Sequence, residues 1–241
     1  MSKHFELTEE TVLFDGVTLY RIKASVDIPS QFVKKGDLGG FVQKLENLND
    51  LAWVYGNARV CGDAQVYGNA QVHEDARVYG NAQVYGNAQV YGNAWVCGDA
   101  HVYGNVQVYG NARVFGGAQV RGDAQVYGNA LVCGDAQVCG DAWIYGNAWI
   151  YGNAQVRGDA EVCGNANVCG NSDILLLGPA KSSGRYTTTF KSKIGVEISC
   201  GCFLGNIEDF EKAIRTTHSD NEQYLKQYLS FANLIRSNFD L

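Results

Sequence analysis

From Val54 to Ile174 the chain repeats every six residues, beginning Val-Tyr-Gly-Asn-Ala-Arg, Val-Cys-Gly-Asp-Ala-Gln, Val-Tyr-Gly-Asn-Ala-Gln. Twenty hexapeptides start at positions 54 through 168. Each begins with Val or Ile, and the fifth residue is Ala except at Val106 and Ser172. Leu48 with Ala52 adds one repeat upstream, giving 21 repeats over 126 residues. A period of six fits neither a helix nor an alternating hairpin sheet. It fits a short strand followed by a corner: the branched residue points inward, its neighbour outward, Gly-Asn or Gly-Asp turns the chain, and Ala points back in. Gly, and less readily Asn or Asp, accepts the left-handed backbone that a tight corner needs. Three repeats close an 18-residue coil, so 126 residues make seven coils. At ~4.8 Å per stacked strand the shaft is roughly 34 Å long.

This pattern resembles the hexapeptide-repeat family of left-handed β-helices, and the resemblance covers about half of the chain. The expected fold is an all-β solenoid: a left-handed parallel β-helix of about seven 18-residue coils at residues 48–178. An N-terminal β-hairpin cap is expected at 1–47, and strands plus two helices at 179–241. Departures from the repeat are few, namely His73-Glu74-Asp75 in place of Tyr-Gly-Asn and Gly117 in place of a corner Asn.

Residues 18 apart stack, so the outward side chains sort into three faces. One carries Tyr55, His73, Tyr91, Tyr109, Tyr127, Tyr145 and Cys163, beside a column running from Trp53 through four glutamines to Trp143 and Glu161. A second carries Tyr67, Tyr85, Tyr103, Arg121, Cys139 and Arg157. These Tyr and Gln ladders stack favourably without any function. The third runs Cys61, Tyr79, Cys97, Phe115, Cys133, Tyr151, Cys169, alternating small and large, beside Arg59, Arg77, Trp95, Arg113, Leu131, Trp149 and Asn167. So apolar a flat sheet calls for a partner, and aromatic residues and Arg are the types enriched at interfaces. Arg77, Tyr79, Trp95, Phe115, Leu131, Trp149 and Tyr151 are therefore expected to form a subunit interface. The family resemblance implies a homotrimer.

The charge pattern narrows the partners. The net charge of −6 is concentrated at residues 48–178, which alone carry 5 basic and 11 acidic side chains. A nucleic-acid binder needs a basic stripe, so that class is excluded. DNA mimicry fails on magnitude, since a duplex of this length carries roughly 20 charges at about one per 1.7 Å. No apolar run approaches the ~20 residues that span a bilayer, and Met1–Glu6 shows no signal-peptide pattern. A cytoplasmic location is expected, or the host cytoplasm for a phage-encoded protein. The eight cysteines are then expected as thiols; six of them fall on the repeat lattice, which accounts for their spacing.

Raw strand edges at both ends need caps. Residues 11–24 read as a hairpin turning at Asp15-Gly16. Lys35-Gly36-Asp37-Leu38-Gly39-Gly40-Phe41 resembles the entry segment of YdcK-like hexapeptide proteins and of uncharacterised phage and prophage proteins. Its glycines are not followed by the Lys-Ser/Thr pair of a phosphate loop. Beyond Gly178-Pro179, Arg185–Lys191 and Gly195–Ser199 read as strands. Asn206 caps a helix from Ile207, and a second helix spans about Asn221 to Phe239. This tail also resembles those phage-associated proteins.

Family resemblance implies CoA-dependent acyl transfer as one activity, with a His base near a loop that interrupts the β-helix. Here no loop interrupts the repeat, and His101, the best-placed candidate, stands alone in a Gln and Tyr ladder. Cys200, Cys202 and His218 have zinc-ligand chemistry but are three, without Cys-x₂-Cys spacing; small core residues at a strand end account for them as well. No cofactor is expected. The reading that remains is a non-enzymatic oligomeric binding protein, with a small anionic ligand or host protein near Arg121, Arg157 or Arg185. The resemblance of the ends implies a phage sponge or inhibitor of a host defence or regulatory factor. A structural assembly scaffold and the acyltransferase are the alternatives.

Overall fold

A computed structural model describes residues 3–241. Strands β1 (Phe5–Phe14), β2 (Val17–Ala24) and β3 (Leu38–Val42) precede the shaft, whose 20 short strands run from β4 (Trp53–Val54) to β23 (Asn167–Val168). The shaft is a β-solenoid of about seven turns with three parallel sheets. Each strand pairs in register with the strand 18 residues on, as Gln71 with Gln89 and Val72 with Val90. The three sheets are the three faces read from the sequence: seven strands on the Tyr55 face, six on the Tyr67 face, and seven shaft strands on the Cys61 face, extended by β3, β2 and β1.

The reason lies in the core. Every repeat-initial Val or Ile from Val54 to Val168 is fully buried, as are the corner alanines. Each such valine removes roughly 1.5–3 kcal/mol of apolar surface from water. Most backbone hydrogen bonds between coils follow one rule, residue n donating to the carbonyl of n+17, as Gln71 N to Ala88 O at 2.9 Å and His73 N to Val90 O at 2.9 Å. Stacking is tight enough to dictate the corner residue. A Cβ on Gly104 (φ +91°) would lie 2.6 Å from Gly122 O. At the irregular repeat, Glu74 adopts φ 60° where its neighbours have Gly. The outer ladders form as expected, with Tyr85 and Tyr103 rings 4.8 Å apart and nearly parallel.

Both ends are sealed. In the first coil Gly62 O and Ala64 O have no strand above them. The buried Asn47 amide takes that place, donating to both at 3.1 and 2.8 Å. Trp53, expected to face outward, is only 1% exposed, because the entry segment covers it; His4 lies beside it and bonds Ala52 O through Nε2 at 2.9 Å. At the other end an antiparallel sheet closes the barrel: β24 (Ile174–Leu177), β25 (Thr187–Ser192), β26 (Gly195–Cys200) and β27 (Phe203–Gly205). Phe190 is fully buried against the last coils, and Thr188 Oγ1 accepts from Glu161 N at 2.9 Å.

Against that sheet pack α1 (Ile207–Thr217), capped by Asn206 as the sequence indicated, and α2 (Glu222–Phe239), whose cap is Asn221. Their core joins Ile198, Phe210, Ile214, Tyr228 and Ile235. The sheet differs from expectation in having four strands, and it begins at Ile174, where the hexapeptide pattern still runs. Ile174–Leu177 pairs with β25 instead of starting a further coil. Among the described residues no helix is long and apolar enough to cross a membrane.

Candidate functional site

Two regions gather the side chains that sequence reading singled out. The first is the Cys61 face. The β1–β2 hairpin turns at Asp15-Gly16 with both residues at positive φ, and its pairing is irregular between Leu7 and Thr11. Its distal half packs onto this face: Leu19 and Phe41 are buried with Cys61, and Phe14 stands edge-on to Tyr79. The Arg59 and Arg77 guanidiniums each lie 5.2 Å from the Phe14 ring centre. Arg77 and Tyr79 thus meet this chain's own hairpin. Trp95 follows, held between Arg77 and Arg113 at 5.0 and 4.3 Å, each contact adding roughly 0.5–1 kcal/mol.

Past that point the face continues with Phe115, Leu131, Trp149 and Tyr151. Cys133, 7% exposed, forms a socket between the larger rings. Trp149 Nε1 donates to Cys133 Sγ at 3.2 Å, and its ring lies 4.8 Å from that of Tyr151. Even so held, Trp149 stays 39% exposed. Burial pushes the Cys61 and Cys163 thiols up, so they stay protonated and behave as small apolar groups.

The second region is the C-terminal end. A cavity of about 300 Å³ opens between the end sheet and the helices, lined by Ser182, Ser183, Arg185, Cys200, Gly201, Cys202, Phe203, Phe210, Ala213, Ile214, Thr217, His218 and Tyr228. Phe203, Phe210, Ala213, Ile214 and Tyr228 form its apolar wall, and Ser182, Ser183, Thr217 and His218 add polar groups. The His218 ring stacks on Tyr228 at 4.9 Å, and the Tyr228 hydroxyl lies 3.0 Å from Ser182 Oγ. Arg185 and Gly201 belong equally to a neighbouring cavity of about 590 Å³ against the Tyr55 face, which adds Asp141, Trp143, Asp159, Glu161, Gly184 and Tyr186. A Cβ at Gly201 (φ +62°) would fall 2.8 Å from an Arg185 guanidinium nitrogen. The Arg185 guanidinium thus lies against the bare backbone of the Cys200–Cys202 turn.

Two acids of the outer cavity, Asp141 and Asp159, belong to a corner column that changes character along the shaft. Asn69, Asn87 and Asn105 each donate to the next residue in line, ending at Asp123 Oδ1 at 2.7 Å. Asp141 and Asp159 then continue the column as carboxylates. Beside them Trp143 pairs in register with Glu161, which accepts a short hydrogen bond from the Tyr145 hydroxyl. Trp143 is 46% exposed. Reading the outward faces alone found Glu161 but overlooked Asp141 and Asp159. Reading the corner positions in steps of 18 would have found them.

With this geometry in view, the family comparison is decisive for the shaft. The model of the YdcK β-solenoid repeat matches residues 52–68, 58–74, 76–92, 82–98, 88–104, 106–122, 124–140 and 136–152. Across residues 52–152 the shaft is built of YdcK-type β-solenoid repeats. Among curated proteins none matches the chain.

The YdcK-type shaft keeps the remaining candidates apart. His101 pairs with Gln83 and Gln119 on the Tyr67 face and lines none of the cavities described here. Arg121 lies on the same face, its guanidinium 3.4 Å from Tyr103 Oη. Arg157, two coils further on, bonds Gln155 Oε1 and lines a cleft of about 290 Å³ with Asn171, Ile174 and Leu176. Arg185 is therefore the one arginine of the three that lines the cavity between the end sheet and the helices, and Arg157 lines a separate cleft. Cys200, Cys202 and His218 share that cavity, but no group of three metal-ligating side chains comes together among the described residues. The Cys200 thiol instead accepts from Thr187 Oγ1 at 3.2 Å.

Proposed function

We propose that this YdcK-type solenoid is a non-enzymatic, oligomeric binding protein. Copies associate through the Phe115–Tyr151 stretch of the Cys61 face, as a trimer, and the C-terminal end of each presents Arg185 to a small ligand bearing an anionic group. One observation carries the reading. The chain spends its own hairpin covering the first half of an apolar sheet face and leaves Leu131, Trp149 and Tyr151 beyond the hairpin's reach, with Trp149 39% exposed. A flat, rigid, aromatic surface with cysteine sockets suits a second rigid surface. Sequestration of a ligand, the role implied by the resemblance of the chain's ends to phage-associated proteins, needs affinity and no catalytic residue.

Native mass spectrometry of gently purified protein tests the proposal. The expected result is a particle of three times the 26.2 kDa chain mass, with or without a small bound mass at each end. A monomer across micromolar concentrations would overturn it. Turnover of a CoA ester, lost on His101→Ala, would replace it with the acyltransferase reading.

A further inference from the structure

The geometry points to the two cavities that meet at Arg185 as one site for a small zwitterion with an apolar body, the chemistry of an aromatic or branched aliphatic α-amino acid. This rests on the preceding reading that the C-terminal end binds a ligand through Arg185, and it names the ligand's class.

The inner cavity sets the apolar requirement. Phe203, Phe210, Ala213, Ile214 and Tyr228 give it an apolar wall opposite the single charge of Arg185, and about 300 Å³ is the lower end of the range for ligand pockets. It suits one side chain, not a nucleotide. Arg185 sets the anionic requirement at the rim. It enters no ion pair or side-chain hydrogen bond among the described residues, and Gly201 leaves room for its guanidinium against the turn. A carboxylate at that rim would find a fork of donors matched to it.

The outer cavity supplies the third requirement. Asp141, Asp159 and Glu161 outnumber the single arginine there, and Trp143 lies among them with nearly half its surface open. A simple anion at Arg185 would face three carboxylates across the cavity. A simple cation would be drawn to the acids and the Trp143 ring but repelled by Arg185. A ligand with adjacent positive and negative groups satisfies both, placing its ammonium toward Asp159 and Trp143 and its carboxylate on Arg185. In the same corner column Asn69, Asn87 and Asn105 link up to Asp123, whereas Asp141 and Asp159 receive no asparagine amide among the described residues and line this cavity as carboxylates.

Isothermal titration of the full-length protein with L-phenylalanine, L-leucine, 3-phenylpropionate and 2-phenylethylamine tests this. At least one of the two amino acids should bind, and removing either charge from phenylalanine should weaken binding tenfold or more. Arg185→Gln and Asp159→Asn, both at exposed positions, should each weaken amino-acid binding at least tenfold at an unchanged unfolding midpoint. Ala213→Trp, which fills the inner cavity, should abolish it. The inference is overturned if 3-phenylpropionate or 2-phenylethylamine binds as tightly as phenylalanine, if Arg185→Gln is neutral, or if no amino acid binds at millimolar concentration. The oligomeric reading survives that last result, since it falls only if the particle is a monomer.

Discussion

Replacing Asn47 with leucine removes the side chain that makes two of the hydrogen bonds a preceding coil would make. Throughout the shaft, a carbonyl at position n accepts from the amide at n−17. For Gly62 and Ala64 that donor would be residue 45 or 47, but Asn47 N bonds Lys44 O instead, and the Asn47 Nδ2 group makes both missing bonds. Its Oδ1 also accepts from Lys44 N at 2.9 Å. Leucine fills similar volume and leaves two carbonyls and one amide unpaired at a fully buried position. Each orphaned group costs about 1–3 kcal/mol. Water reaching the edge of the first coil offsets part of this, so a loss of about 2–4 kcal/mol follows.

Because a solenoid is stabilised between neighbouring coils, the damage should stay at the N-terminal end. Urea unfolding measures the total, and hydrogen exchange locates it in the amides of residues 48–66. Asn87→Ala, in an exposed ladder, is the control and should change stability by less than about 0.5 kcal/mol. An Asn47→Leu protein as stable as the parent, or one whose exchange rises evenly along the shaft, would refute the view that one amide completes the coil.

Two other perturbations probe the corners and the C-terminal seal. Gly104→Ala forces a side chain into φ +91° and 2.6 Å from Gly122 O, and should cost about 2 kcal/mol or more by urea unfolding. Gly170→Ala, with nothing within 4 Å and no positive φ, should cost far less. Asp173 is nearly buried, and burial alone would raise its pKa. The Lys191 ammonium at 2.7 Å and the Cys169 and Gly170 amides outweigh burial and hold it below its ordinary value of 3.8. A depressed carboxylate stabilises the fold above that ordinary value and loses its contribution as pH falls through the lowered one. Asp173→Asn should therefore cost about 1–2 kcal/mol at neutral pH, discounted for the half-exposed Lys191, and should flatten the acid limb of a stability–pH profile below about pH 4.

The fold was legible because one six-residue rule governs half the chain. Val or Ile, Gly and Ala recur with so few exceptions that coil number, facing residues and in-register stacking all follow from counting. Asn206 announced the first helix because capping is local chemistry, and the apolar spacing from Tyr224 to Ile235 announced the second. What the sequence hid is what depends on contacts between distant segments. Ile174–Leu177 reads as one more repeat and is diverted into the end sheet by pairing with β25. Phe14 reads as a hairpin residue, yet it covers Tyr79, more than sixty positions away. The cleft at Arg185 escaped for the same reason. Arg185, Cys200 and His218 were each visible, but only the folded end sheet and helices put them round one cavity beside Asp159.

Self-association through the exposed half of the Cys61 face is the claim on which the functional account stands. Sedimentation equilibrium of the parent protein beside a Leu131→Lys/Trp149→Lys variant tests it most directly. The account predicts a trimer for the parent and a monomer for the variant, with unfolding midpoints within a few degrees of each other, since both side chains point out of the core. A monomeric parent, or a variant that assembles as well as the parent, would contradict it.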